Sequence, residues 1–159
     1  MTIAYEAIGI IHSPFTAAEG MPIQPAGAAA ATGTVEVFDR FVPALQDLDG
    51  FSHICLLYHF HRVTQVRLVV TPFLDHLPHG VFATRAPTRP NPIGLSVVRL
   101  TRVDGNVLHI EDLDIMDGTP LLDIKPYAPE FDHYPVERIG WLAAAQGQVK
   151  GRRSDDRFR

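Results

Sequence analysis

Cysteine is almost absent from this chain of 159 residues, Cys55 being the one thiol. One thiol closes no internal disulfide and builds no cysteine-rich zinc site, so a reducing cytoplasm is the expected compartment. Long hydrophobic runs are also lacking, and none approaches the ~20 residues that span a bilayer. The opening MTIAYEAIGIIHSPF has no basic leader and carries Glu6 early, which argues against a secretory signal. A basic excess is missing too. The formal net charge is −4, which argues against a general nucleic-acid coating protein. No GxGxxG follows a strand, and neither a Walker A loop nor a GxSxG motif occurs, so a Rossmann cofactor site and a P-loop are not expected. There are no internal repeats.

What is present is punctuation. Prolines (13) and glycines (12) cut the chain into short pieces that read as strands. Residues 4–11 form an apolar opening run, 20–33 a Gly/Pro/Ala-rich loop, and 34–38 (TVEVF) a clean alternation. Residues 43–48 fit a short helical turn. The clearest strand is FSHICLLYHFH at 51–61. It sets His53, Cys55, Leu57, His59 and His61 on one face and Ile54, Leu56, Tyr58 and Phe60 on the other. Residues 66–71 form a β-branched run. Residues 94–103 and 107–113 are two runs joined by the hairpin signal Asp104-Gly105-Asn106. A last short strand is expected at 121–124. Only 135–146 looks helical, with Pro135 first and Gly147 as the stop, and the tail GRRSDDRFR is expected to fray. The expected fold is therefore mostly β: a small antiparallel β-barrel over 1–134, then a C-terminal helix and charged tail over 135–159.

Two stretches carry unusual chemistry. In FATRAPTRPNPIGLS (82–96), prolines 87, 90 and 92 forbid a helix or a central strand and hold Arg85 and Arg89 in place. Arginine on a preorganised loop suits a carboxylate or phosphate through a bidentate fork, and the Asn91 amide oxygen suits an exocyclic amine. From His76 to Val103 there is no acid, so this stretch is locally basic within an acidic protein. The second stretch, LDIMDGTPLLDIKPYAP (113–129), centres on a tight turn at Asp117-Gly118-Thr119-Pro120. The histidines at 53, 59 and 61 share a face in the manner of a metal site. No acid follows His61 until Asp75, however, and hydrogen-bonding histidines are the better reading, with no metal.

With IGIIHSPF (8–15), IQPAG (23–27) and the strand at 51–61, these two stretches resemble the TrmO (YaeB-like) family of S-adenosylmethionine-dependent tRNA methyltransferases. The resemblance runs from about residue 5 to residue 130. It implies a small β-barrel methyltransferase that works as a homodimer, with S-adenosylmethionine near the subunit interface. It implies N6 methylation of a threonylcarbamoyl-modified adenosine beside the anticodon of tRNA. The cofactor contacts carried over are Gln24, Pro25, His61, Arg62, Arg85, Leu95, Asp114, Ile115, Met116, Asp117, Gly118 and Thr119, with the backbone contributing around 114–116. Arg89 is assigned to substrate, and Asn91 or Asp117 is the expected acceptor for the amine proton. Three positions depart from the pattern: Arg62 replaces a frequent glutamine, Ala26 separates Pro25 from Gly27, and His12 stands where arginine is common. Bacterial members carry an additional C-terminal domain, whereas one helix and a short tail follow the matching region here. The rival reading is a cofactor-binding module or small-molecule methyltransferase without tRNA activity.

Overall fold

The structure, a computed structural model, describes residues 1–24 and 31–158. Pro25, Ala26 and Gly27 of the IQPAG motif lie outside the described residues. The strands are β1 (Gly9–His12), β2 (Thr32–Val37), β3 (His53–His59), β4 (Val69–Val70), β5 (His79–Gly80), β6 (Ile93–Asp104), β7 (Val107–Glu111) and β8 (Thr119–Pro126). Six of them close an antiparallel barrel in the order β1-β2-β7-β6-β3-β8, with β8 pairing back onto β1.

Alternation explains the closure. On β3, Ile54, Leu56 and Tyr58 point inward, and on β6 Ser96, Val98 and Leu100 do the same. With Ile11, Val35, Ile110 and Leu121 they fill the lumen with side chains, so the barrel has a packed core and no channel. The Asp104-Gly105-Asn106 signal makes the expected hairpin between β6 and β7. Gly105 takes φ 60°, and the Asn106 amide donates to the Val37 carbonyl at 3.1 Å.

Residues 13–24, after β1, and the connection from β3 to β6 stand outside the barrel. The second carries the two-stranded β4–β5 sheet over a small separate core of Val70, Val81 and Ala86. Prolines 87, 90 and 92 finish this connection just before β6 begins at Ile93, as their chemistry requires.

Several segments differ from the sequence reading, among them the 51–61 run, which is strand only over His53–His59, and the 43–48 turn, which is replaced by 3-10 turns at Asp39–Leu45 and Leu48–Gly50. The opening run is strand only from Gly9, and the 66–71 run only at Val69–Val70. The expected helix at 135–146 is instead a 3-10 turn at Gly140–Ala145, preceded by a short helix α1 at Pro129–Asp132. Gly140 takes φ 59°, a backbone conformation no right-handed helix passes through, so helix cannot run across it. Over 153–158 the charged tail is held and not frayed. Arg153 bridges to Pro22, and Phe158 packs onto the small core.

Candidate functional site

At one end of the barrel the β1–β2 connection, the Arg-Pro loop and the turn before β8 meet. The meeting is direct: Arg85 Nη1 donates to Gln24 Oε1 at 2.8 Å across 61 residues of sequence. The Arg85 cation also acts on the Asp114 carboxyl. The two loops and the 114–119 segment are thus one electrostatic unit.

The Arg-Pro loop is held by its own side chains. Thr84 Oγ1 donates to the Val81 carbonyl at 2.9 Å and accepts the Ala86 N–H at 3.2 Å. Arg89 Nη1 donates to the carbonyls of Thr84 (3.0 Å) and Ala86 (3.2 Å). Arg89 therefore clamps the loop that presents Arg85, and its guanidinium lies 6.0 Å from the exposed Phe82 ring. Asn91 is exposed. Its carbonyl accepts the Ile93 N–H, while its side-chain amide has no hydrogen bond among the described residues.

The turn before β8 is pinned to β1. Gly118 takes φ 73° and its N–H donates to the Ile11 carbonyl at 2.9 Å. Asp117 N–H donates to the Phe15 carbonyl, and Asp117 Oδ1 accepts the Ser13 N–H at 3.0 Å with His12 Nδ1 at 3.7 Å. Thr119 Oγ1 lies 2.8 Å from the Met116 carbonyl, to which it donates, and 3.3 Å from His61 Nδ1. His61 stands in the turn two residues beyond β3, with Arg62 Nε donating to its Nε2 at 3.2 Å. Burial first, then the neighbouring Arg62 cation, lowers the pKa of His61, so the imidazole is neutral at pH 7. Ile115 is buried in the core.

A hydrogen-bonded chain leads from this cluster into the barrel. Tyr58 OH and Ser96 Oγ are 3.0 Å apart, and Ser96 Oγ donates to Asp114 Oδ1 at 2.6 Å. Burial raises the Asp114 pKa to about 6, against the opposing pull of the Ser96 hydroxyl and the Arg85 cation. Burial also raises that of the Tyr58 phenol, with the Asp114 charge adding to it. Tyr58 and Ser96 were missed in the sequence. The available signal was a tyrosine and a serine at inward strand positions, because polar atoms in a barrel lumen need partners.

Leu95 is placed apart from this set. It lies on the opposite face of β6 from Ser96, outside the barrel, in an open groove of about 460 Å3 with Cys55, Leu57, Lys125, Pro126, Phe131 and Asp132. The expected basic stretch also divides. Arg99 pairs with Glu111 and Arg102 with Asp104 on the β6–β7 surface, which leaves Arg85 and Arg89 as its loop members. Among the described residues no group of three or more His, Cys, Asp or Glu is placed to hold a metal ion. No helix of the described residues is long and apolar enough to cross a membrane.

The tRNA-methyltransferase O N-terminal domain family model matches residues 10–133. The chain belongs to the TrmO family. Crystal structures of TrmO from Pseudomonas aeruginosa superpose with a TM-score of 0.75 at 42% identity, covering 89% of this chain and 63% of that one. A Pyrococcus abyssi protein described as "Probable S-adenosyl-L-methionine-binding protein" is 55% identical over 158 residues, 99% of this chain and 86% of its own length. A mouse protein named tRNA (adenine(37)-N6)-methyltransferase is 37% identical, over 92% of this chain and 36% of its own length. This chain thus spans most of the Pyrococcus abyssi relative but under two thirds of the crystallised Pseudomonas aeruginosa protein and of the mouse protein.

Proposed function

We propose that this chain is an S-adenosylmethionine-dependent methyltransferase that modifies N6 of adenosine 37 in tRNA. The observation that carries the cofactor is the convergence of Gln24, Arg85 and Asp114 beside the 114–119 turn. A cationic fork answers the carboxylate of the methionine moiety. A half-buried carboxyl answers its ammonium or ribose hydroxyls, and turn backbone at the exposed Gly118 answers adenine. Bound there, the cofactor supplies a sulfonium methyl group for in-line displacement.

The chain's own task is to position groups. Arg85, Gln24, Asp114 and the 115–119 backbone hold the cofactor, with His61 and Arg62 flanking. Asn91, with its side-chain amide open, accepts from the N6 amine and orients it. Asp117 keeps the turn on β1 and takes the single N6 proton, released as the carbamoylated nitrogen gains its methyl. Arg89 holds the loop and, through its remaining donors, faces the RNA backbone. The substrate adenosine carries the threonylcarbamoyl group, and the protein acts in the cytoplasm as a homodimer whose subunits meet on the Leu95 groove.

The test uses purified protein, methyl-labelled cofactor and tRNA from a strain lacking the endogenous activity. Label is expected in tRNA, and is expected to disappear when the tRNA also lacks the threonylcarbamoyl group. Cofactor binding without any transfer of label would instead favour a cofactor-binding protein. An Asn91→Ala variant with unchanged rate would remove Asn91 from the scheme.

A further inference from the structure

Gln24 and Arg85 project from connections that stand outside the barrel ladders, so something else must hold them at 2.8 Å. We infer that residues 153–158 are a strap that positions both loops for the cofactor, with Ser154 and Phe158 as its positioning residues; the inference rests on the cofactor reading above.

One end of the strap grips the loop that leads to Gln24. Gly20 N–H donates to the Ser154 carbonyl at 3.0 Å, and Ser154 N–H donates to the Met21 carbonyl at 2.9 Å. The Ser154 hydroxyl accepts the Met21 N–H at 2.9 Å and donates to the Ala18 carbonyl. Arg153 adds an antiparallel bridge to Pro22. This is a short piece of sheet, built two residues before the glutamine.

The other end grips the base of the Arg-Pro loop. Phe158 packs on the core of Val70, Val81 and Ala86, the last being the neighbour of Arg85, and meets the Phe73 ring edge-on at 4.9 Å. Arg157 Nη1 donates to the Pro72 carbonyl at 2.8 Å, while Arg67 Nη1 donates to the Arg157 carbonyl at 3.2 Å. Asp155 fixes Arg157 from behind, Oδ1 accepting from Nε at 2.8 Å. A segment of six residues therefore joins the two loops at their roots, and it lies beyond residues 10–133, which match the family's N-terminal domain model. Loops ordered in advance bind more tightly because no ordering entropy is lost on binding.

The experiment compares the wild-type chain with S154A, F158A and the double variant, reading cofactor affinity by calorimetry and loop order by hydrogen exchange. The double variant is expected to keep exchange protection in β3 and β6, to exchange faster at 18–24 and 81–89, and to bind S-adenosylmethionine about tenfold more weakly. S154T and F158L, which keep the hydroxyl and the apolar bulk, are expected to restore most of the affinity. Affinity within twofold of wild type in the double variant overturns the inference. If the wild-type chain takes up no cofactor, the function proposed above falls. The strap is then judged by exchange alone, and loops as protected in the double variant as in wild type overturn it.

Discussion

Asp114 holds a carboxyl where ionising it is costly, and that cost gives the folded protein a pH signature. Its pKa in the fold is about 6, against a usual value near 3.8, chiefly through burial. At low pH the group is protonated in both folded and unfolded chains and contributes nothing to the difference. Between about pH 4 and 6 the unfolded chain releases the proton first, so stability falls as pH rises, by at most about 3 kcal/mol. Asp114→Asn cannot ionise but still accepts from Ser96. The variant's stability advantage over wild type is therefore expected to open across pH 4–6 and stay level above it. Chemical denaturation at four pH values checks this, and parallel curves would show that the carboxyl ionises without penalty. At this scale the sequence singled out Arg85 and the Asp117 turn by their own chemistry, arginine among prolines and a DGTP turn, whereas Gln24 came only through the family resemblance. It was silent on the Tyr58–Ser96–Asp114 chain, because only barrel closure brings β3, β6 and residue 114 together.

Between elements, the tightest fit is β3 against β6. Tyr58 lies opposite Gly94 in their register, and a Cβ at Gly94 would meet the tyrosine ring at 2.2 Å. The ring occupies the space beside the glycine and is held at its hydroxyl by Ser96. Gly94→Ala must push the ring out of this seat, at a cost of ~1–3 kcal/mol in overpacking. The urea midpoint is expected to fall accordingly, and cofactor affinity with it, since Ser96 then loses one partner. An alanine variant with the wild-type midpoint would mean that Tyr58 has room to move. The same pair of strands shows why period-2 alternation located the barrel staves so well: each has one face in the lumen and one outside. Alternation worked less well at 66–71, where only Val69 and Val70 find a partner strand. The 135–146 pattern misled because helix periodicity says nothing of Gly140, whose positive φ divides the segment.

For the whole molecule, closure decides how a second copy could attach. A closed barrel offers no free strand edge in its main sheet, so association has to use side chains on an outer face. The outside of β6, β3 and β8 is unusually apolar for such a face. Ile93 is 39%, Leu95 47% and Phe131 67% exposed, around the groove that also holds Cys55 and Leu57. A stable homodimer buries roughly 1,200–2,000 Å2 in total, and apolar centres with a polar rim, here Lys125 and Asp132, are the usual make-up. Sedimentation velocity at micromolar concentration is expected to show a dimer for the wild-type chain and a monomer for both L95E and F131E, each retaining the far-UV spectrum of the barrel. Phe131 lies outside the residues assigned to the cofactor. A parallel loss of dimer and of cofactor affinity in F131E would therefore place the cofactor beside the subunit boundary, whereas monomeric F131E with full affinity would place the whole cofactor site within one barrel. A wild-type monomer at these concentrations would overturn the homodimer and leave the groove without its assigned occupant.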